Sequence, residues 1–256
     1  MPVGETGRRI KESVSGVVKG TGDVLAGTVD TVKDAVTGTL RGAGDVAKEA
    51  TGAVSDAVGG ALQAVAEVGG SIIDVVKGTV VGVIEGVGEI TTVTAGVVSN
   101  TVRAAIKGTS EIGGDVAEAA AGTAQAAIAA TSKVAMNVEE TARSVGRGAI
   151  LGARDIGGDV AGAIQCMASG LVKGAGEVGT DVTSVARGAV VGAIETAREI
   201  GMNVEEAAAA AATGAVEGAK GLGQSAVDAV RGVVSGTIEG VDVSPKKAKG
   251  RPTKTS

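Results

Sequence analysis

The chain has 256 residues, a formal charge of −5 at pH 7, 44 glycines and no His, Trp, Tyr or Phe. Ordinary cores lean on aromatic rings that bury about 150–250 Å² each, so this composition argues against a conventional globular domain, and the absence of His removes the commonest general base and a principal metal ligand. One cysteine, Cys166, excludes an internal disulfide and fits a reducing compartment.

The opening stretch, MPVGETGRRIKESV, lacks an apolar run of signal-peptide type. The longest charge-free run, Ala119 to Ser132, has fourteen residues, short of the roughly 18 that a membrane-spanning helix needs. A cytoplasmic protein is expected, soluble or peripheral, with no transmembrane helix.

From the first residue the chain repeats. EIGGDVAEAA (111–120), DIGGDVAGAI (155–164) and EIGMNVEEAA (199–208) lie 44 residues apart, and weaker copies fall every 22. Eleven units of 22 fill residues 1–242 without insertion or deletion. Position 1 is acidic in eight units, position 2 aliphatic in ten, position 18 aliphatic in all eleven, and position 11 is Lys or Arg in six. Twenty-two is twice eleven, and eleven residues make three turns at about 3.67 residues per turn. On such a helix positions 2, 6, 10, 13, 14, 17, 18 and 21 share one broad apolar face, with charge on the opposite strip.

This pattern predicts an all-α fold: long Gly/Ala/Val-rich helices, folded back as an antiparallel bundle or self-associated. A β-solenoid is the alternative, because TVVGVIEGVGEITTVTAGVV (79–98) is rich in β-formers; strict alternation fails elsewhere, and VEEAAAAAATGA (204–215) is helical in character. A turn in every unit, at junctions such as KGAGEVGTDV (173–182), is placed below long helices because the 3.67 phase runs unbroken through the junctions. The Gly-Gly pairs at 59–60, 69–70, 113–114 and 157–158 are the candidate bends.

Each Gly costs a helix about 0.8–1 kcal/mol relative to Ala, so an isolated helix of this composition is unstable and its apolar face must be covered. Seven units carry Gly at positions 16 and 20, a G-x-x-x-G in fixed register: Gly16/Gly20, Gly38/Gly42, Gly82/Gly86, Gly148/Gly152, Gly170/Gly174, Gly214/Gly218 and Gly236/Gly240. Helices approach closely over such a groove because no Cβ intervenes. These are the candidate helix-packing residues; a groove for a ligand or lipid chain is the other use of the same feature. No catalytic, cofactor-binding or metal site is expected, and Cys166 reads as a small buried thiol.

The last fourteen residues, VSPKKAKGRPTKTS (243–256), hold five cations and no acid and form a separate basic tail expected to be disordered. PKKAKGRPTK (245–254) resembles the AT-hook class of minor-groove peptides, with Gly250-Arg251-Pro252 as its core and Lys249 where that class usually has Arg. The resemblance implies DNA or another polyanion as a partner, through Lys246, Lys247, Lys249, Arg251 and Lys254; a plain solubilising tail is the alternative.

In its 11-residue period the body, as in GVVKGTGDVLAGTVDTVKDAV (16–36), resembles synucleins, perilipins, exchangeable apolipoproteins and group 3 late-embryogenesis proteins. An amphipathic body with a basic tail is also similar to phasins, which coat bacterial storage granules. The synuclein KTKEGV core and the punctuating prolines of apolipoproteins are absent, so the resemblance implies a physical mode and not kinship. That mode is a non-enzymatic structural or interaction protein whose helices self-associate, as a homo-oligomer, or coat a lipid or granule surface. A desiccation- or cold-protective chain is one alternative, and a nucleoid-associated scaffold binding DNA through the tail is another.

Overall fold

The structure is a computed structural model that describes residues 4–20, 23–41, 46–134 and 136–245, without the side chains of 46–51. One helix forms per unit: α1 (Glu5–Lys19), α2 (Val24–Arg41), α3 (Val46–Val68), α4 (Ile72–Ile90), α5 (Ala95–Glu111), α6 (Val116–Thr131), α7 (Val138–Asp155), α8 (Val160–Val178), α9 (Val182–Ile200), α10 (Val204–Ala219) and α11 (Gln224–Val233). A 3₁₀ turn at Lys220–Leu222 precedes α11, and an antiparallel hairpin of β1 (Gly236–Ile238) and β2 (Val241–Val243) follows it. The fold is all-α, as the apolar pattern predicts. The β-solenoid does not form, since among the described residues the hairpin holds the only strands.

Long helices running through the junctions do not form either, and in the fourth, sixth, eighth, ninth and tenth units the reason lies at positions 3 and 5. In six units position 3 is a glycine that takes positive φ, as at Gly179 (φ 70°) and Gly201 (φ 70°), closing the preceding helix in the left-handed conformation that other residues resist. The chain then folds back through a six-residue hydrogen-bonded closure. Thr180 N–H donates to the Ala175 carbonyl at 3.0 Å and Met202 N–H to Ala197 at 2.9 Å, with the same bond at Gly114 to Thr109 and Gly158 to Ala153. Position 5 supplies the next N-cap: Ser71, Asp115, Asn137, Asp159, Asp181 and Asn203 each accept from a backbone N–H of the first turn. Three of the four Gly-Gly pairs, 69–70, 113–114 and 157–158, fall in turns, while 59–60 lies inside α3.

The helices stack in two layers. Odd-numbered helices pack on odd and even on even, and successive helices pair between the layers. Within a layer, neighbours run parallel: Gly82 of α4 lies against Val29 of α2 and Gly86 lies against Lys33, so both chains advance together. The residues at position 10, from Ile10 to Val230, are buried in all eleven helices. Position 18 forms a second row, with Leu40, Leu62, Ile84, Ile106, Ile128, Ile150, Val172 and Ile194 all at 2% exposure or less. Buried threonines return their hydroxyls to the preceding turn, as in Thr79 to the Val75 carbonyl (2.6 Å) and Thr196 to Gly192 (2.7 Å), which satisfies them without a partner helix. The covering that the glycine content demands is supplied within one chain.

The last unit departs from helix. Glu239 (φ 50°) and Gly240 (φ 76°) form the two-residue turn of the hairpin, a geometry that matches the twist of its strands, and β-branched Thr237, Ile238, Val241 and Val243 supply those strands. Gly236 and Gly240 are therefore not helix-packing glycines. The hairpin packs on α10, and Arg198 of α9 donates to the Glu239 carbonyl. β2 spans the expected boundary between repeats and tail at 242/243.

Candidate functional site: the glycine seams

Eight of the fourteen expected packing glycines lie in seams between parallel helices of one layer: Gly82, Gly86, Gly148, Gly152, Gly170, Gly174, Gly214 and Gly218. Each faces backbone or Cβ atoms of the helix two earlier. A methyl group added at Gly82 would come 2.7 Å from the Val29 carbonyl oxygen, at Gly86 2.9 Å from that of Lys33, and at Gly218 2.5 Å from that of Ser169. At Gly170 and Gly214 it would overlap the carbonyl oxygens of Ala121 and Gln165. Backbone cannot move aside as a side chain can, so these positions require glycine for its missing Cβ.

The other six lie elsewhere. Gly16 and Gly38 are exposed and face open space, because α1 and α2 have no helix two earlier among the described residues. Gly20 is the exposed C-cap of α1. Gly42 lies outside the described residues, and Gly236 and Gly240 belong to the hairpin. Seam glycines outside the 16/20 pairing also occur. Gly60 meets Gly7, Gly78 meets Leu25 and Thr28, and in α9 Gly188 and Gly192 meet Glu139 and Arg143. The α9 pair is the same four-residue spacing moved one turn earlier, because Thr196 occupies position 20 there.

Along the four seams from α5/α7 to α8/α10 runs a polar ladder with a sequence separation of 52, while the earlier seams carry Lys11–Glu67 and Lys33–Glu89, 56 apart, and Lys133–Glu85, 48 apart. Arg103 Nε donates to Asp155 Oδ2 at 2.6 Å, Gln125 Nε2 to Glu177 Oε1 at 2.6 Å, Arg147 Nη2 to Glu199 Oε1 at 2.7 Å, and Gln165 Nε2 to Glu217 Oε2 at 3.0 Å. The donors come from positions 11 and 15, and the acids from position 19 and from position 1 of the following unit. The carboxyls of Asp155, Glu199 and Glu89 are held below the usual range, foremost by their hydrogen bonds to Arg103, Arg147 and Lys33. The acidic position 1 and basic position 11 of the repeat are thus partly accounted for as register pins between helices two apart. Exposed pairs of this kind contribute about 0–1 kcal/mol each, so they align the seams more than they hold them.

Cys166 stands at position 12 of α8, half-buried and free. Burial pushes its thiol above the ordinary value, and the carboxylates of Asp115, Glu217 and Asp159 add to this, which leaves little thiolate at neutral pH. No group of three or more acidic or Cys side chains able to hold a metal occurs among the described residues. No helix of the described residues is long and apolar enough to cross a membrane. The candidate polyanion-binding residues Lys246, Lys247, Lys249, Arg251 and Lys254 lie outside the described residues. Compared with known proteins, the chain matches no family model and no curated protein.

Proposed function

We propose that the chain is a non-enzymatic structural or interaction scaffold: a self-packed helical stack that carries a basic tail. The observation that carries this reading is where the apolar surface goes. Among the described residues, the exposed large hydrophobics are Val178 (39%) and Leu222 (38%); a helical coat for a lipid or granule surface would keep a continuous apolar stripe facing outward.

The two ends of the stack support the same reading. At position 12, where α4 and α6 to α10 carry Gly78, Gly122, Ser144, Cys166, Gly188 or Ala210, α1 and α2 carry Glu12 and Asp34, both exposed, and α3 carries Asp56, which accepts from the Gly4 N–H at 3.1 Å. At the other end, α11 packs on α9 and the hairpin packs on α10. The charge is polarised: residues 1–242 hold 19 bases and 29 acids, and the five cations of the tail follow them.

Circular dichroism with mass measurement in plain buffer, then with anionic phosphatidylglycerol vesicles, tests the reading. A strongly helical particle of 24.4 kDa that gains no helix on vesicles is expected. A chain that is coil in buffer and helical on vesicles overturns the scaffold in favour of a coat. An expanded coil in both overturns it in favour of a desiccation-protective chain.

A further inference from the structure

The repeat is interrupted at one place in both layers. Position 16 is Gly in nine units and Ala in two, and those two are consecutive: Ala104 in α5 and Ala126 in α6. In the seams α1/α3, α2/α4 and α5/α7 to α8/α10, a glycine lies against backbone of the helix two earlier. The nearest atoms to Gly108 of α5 are instead side-chain atoms of Leu62 and Val58, and those nearest Gly122 of α6 are side-chain atoms of Ile73 and Lys77. A Cβ at position 16 keeps two backbones apart. Accordingly α3/α5 and α4/α6 make the least extensive contacts of any helices two apart from α1 to α10, and α4/α5 the least of any successive pair there.

These three contacts share one plane, between α1–α4 and α5–α11, and two cavities open along it. A cleft of about 410 Å³ lies between α3 and α5, lined in part by Asn100 and Ala104. A second cavity, of about 770 Å³, lies at the α4/α5 junction against Lys133 and Val134, which follow α6. Lys133 reaches across the plane to Glu85 at 2.7 Å, but its side chain is 65% exposed, so the pair adds little cohesion. The junction itself is a plain connection. Thr91, Thr92, Val93 and Thr94 are all β-branched, and the backbone is extended at Thr91 (φ −152°, ψ 174°) and Thr94 (φ −102°, ψ 159°). It has neither the left-handed glycine nor the six-residue closure found after α5, α7, α8 and α9.

The stability of a stacked repeat is approximately the sum of its unit terms and its nearest-neighbour interfaces, so a stack comes apart first at its weakest interface. The smaller part here is α1–α4. Its first helix starts on Gly4 without a side-chain cap, whereas α6 to α10 each have one. We propose that the stack opens at this plane: residues 4–90 unfold as one cooperative unit and uncover the α5/α6 face, while residues 95–245 stay folded. The molecule thus has a partly open form, reached at lower cost than global unfolding and set by the two alanines at position 16 and the plain junction between α4 and α5.

The test is amide hydrogen exchange of the full chain, read by mass spectrometry over a urea series below the global unfolding midpoint. Peptides from α1 to α4 are expected to lose protection together, at a lower urea concentration than peptides from α7 to α10. Asp181→Ala, which removes the cap of α9, separates the two units. It should speed exchange in α7 to α10 about tenfold and leave exchange in α1 to α4 unchanged, because α9 remains folded when the plane opens. The proposal is overturned if all helices lose protection at one urea concentration. It is equally overturned if α3 and α4 keep the protection of α7 to α10 while α1 and α2 lose theirs, or if Asp181→Ala speeds exchange in both units alike.

Discussion

The seam between α8 and α10 and the seam between α3 and α5 are built from the same repeat and differ in outcome. In the first, Gly214 and Gly218 set α10 directly against the carbonyls of Gln165 and Ser169. In the second, Asn100 and Ala104 line a cavity, and the helices close again at Gly108, where an added methyl group would overlap Leu62. Helix starts differ along the chain as well, as α9 and α5 show. Asp181, at the start of α9, accepts from Thr183 N–H and from the hydroxyls of Thr183 and Ser184. α5 begins one position later than its neighbours, on Thr94, with a 3.4 Å bond to Val97 N–H, because Thr91 and Val93 stand where other junctions have the turn glycine and the cap. A few side-chain atoms at repeat positions 12 and 16 therefore decide between a closed seam and an open one.

The sharpest way to break the contrast is to put a side chain into the closed seam. Gly214→Val drives methyl groups into the Gln165 carbonyl and should cost about 3 kcal/mol, read as a lowered urea midpoint. Ala104→Leu at the same repeat position in the open seam should stay within about 1 kcal/mol of the parent; equal losses at the two sites would erase the distinction.

The caps come next. Asp181→Ala should cost about 1–2 kcal/mol and Thr94→Ala only a few tenths, both within the range of N-cap replacements and measured by thermal unfolding. Asp181 also has a pH signature. The hydroxyls of Ser184 and Thr183 hold its carboxyl down at about 2, below its value in the unfolded chain. Its contribution is thus complete above about pH 4 and fades as the pH falls toward 2. Asp181→Asn keeps a capping oxygen and should remove that part of the acid dependence, seen as a flatter midpoint between pH 4 and 2.

The smallest expected effect lies on the ladder. Arg147→Ala removes the pair with Glu199, which is half-exposed on both sides, and should cost at most about 1 kcal/mol, less at high salt. A larger loss in a salt series of unfolding curves would mean that the ladder, and not the glycine contact, holds the seam.

Much of this was legible in the repeat. The buried row at position 18 and eight of the packing glycines follow from apolar spacing and from the register of G-x-x-x-G. The junction turns were misread for a physical reason: 22 residues at 3.67 per turn is six whole turns. An unbroken phase is therefore equally consistent with one long helix and with equal helices cut at a fixed point. The deciding signal was the left-handed Gly at position 3 followed by Asp, Asn or Ser at position 5, as in Gly179–Asp181 and Gly201–Asn203. The cleft could not be read from the chain, because nothing in a single unit says that Asn100 and Ala104 face the helix two units back. Nor did the G-x-x-x-G at 236–240 announce a hairpin; only the strand-forming residues around Glu239-Gly240 distinguish it from its helical counterparts.

The parallel contact between every helix and the second one after it has a further consequence, for growth. Removing residues 156–199 would join Asp155 to Ile200, bring Gly214 and Gly218 onto the carbonyls that now receive Gly170 and Gly174, and leave the terminal hairpin on its present layer. Removing a single unit would transfer that hairpin to the opposite layer. The molecule can thus be lengthened or shortened by pairs of units at constant local chemistry, so that reach along the stack becomes a quantity its sequence can count out in steps of forty-four.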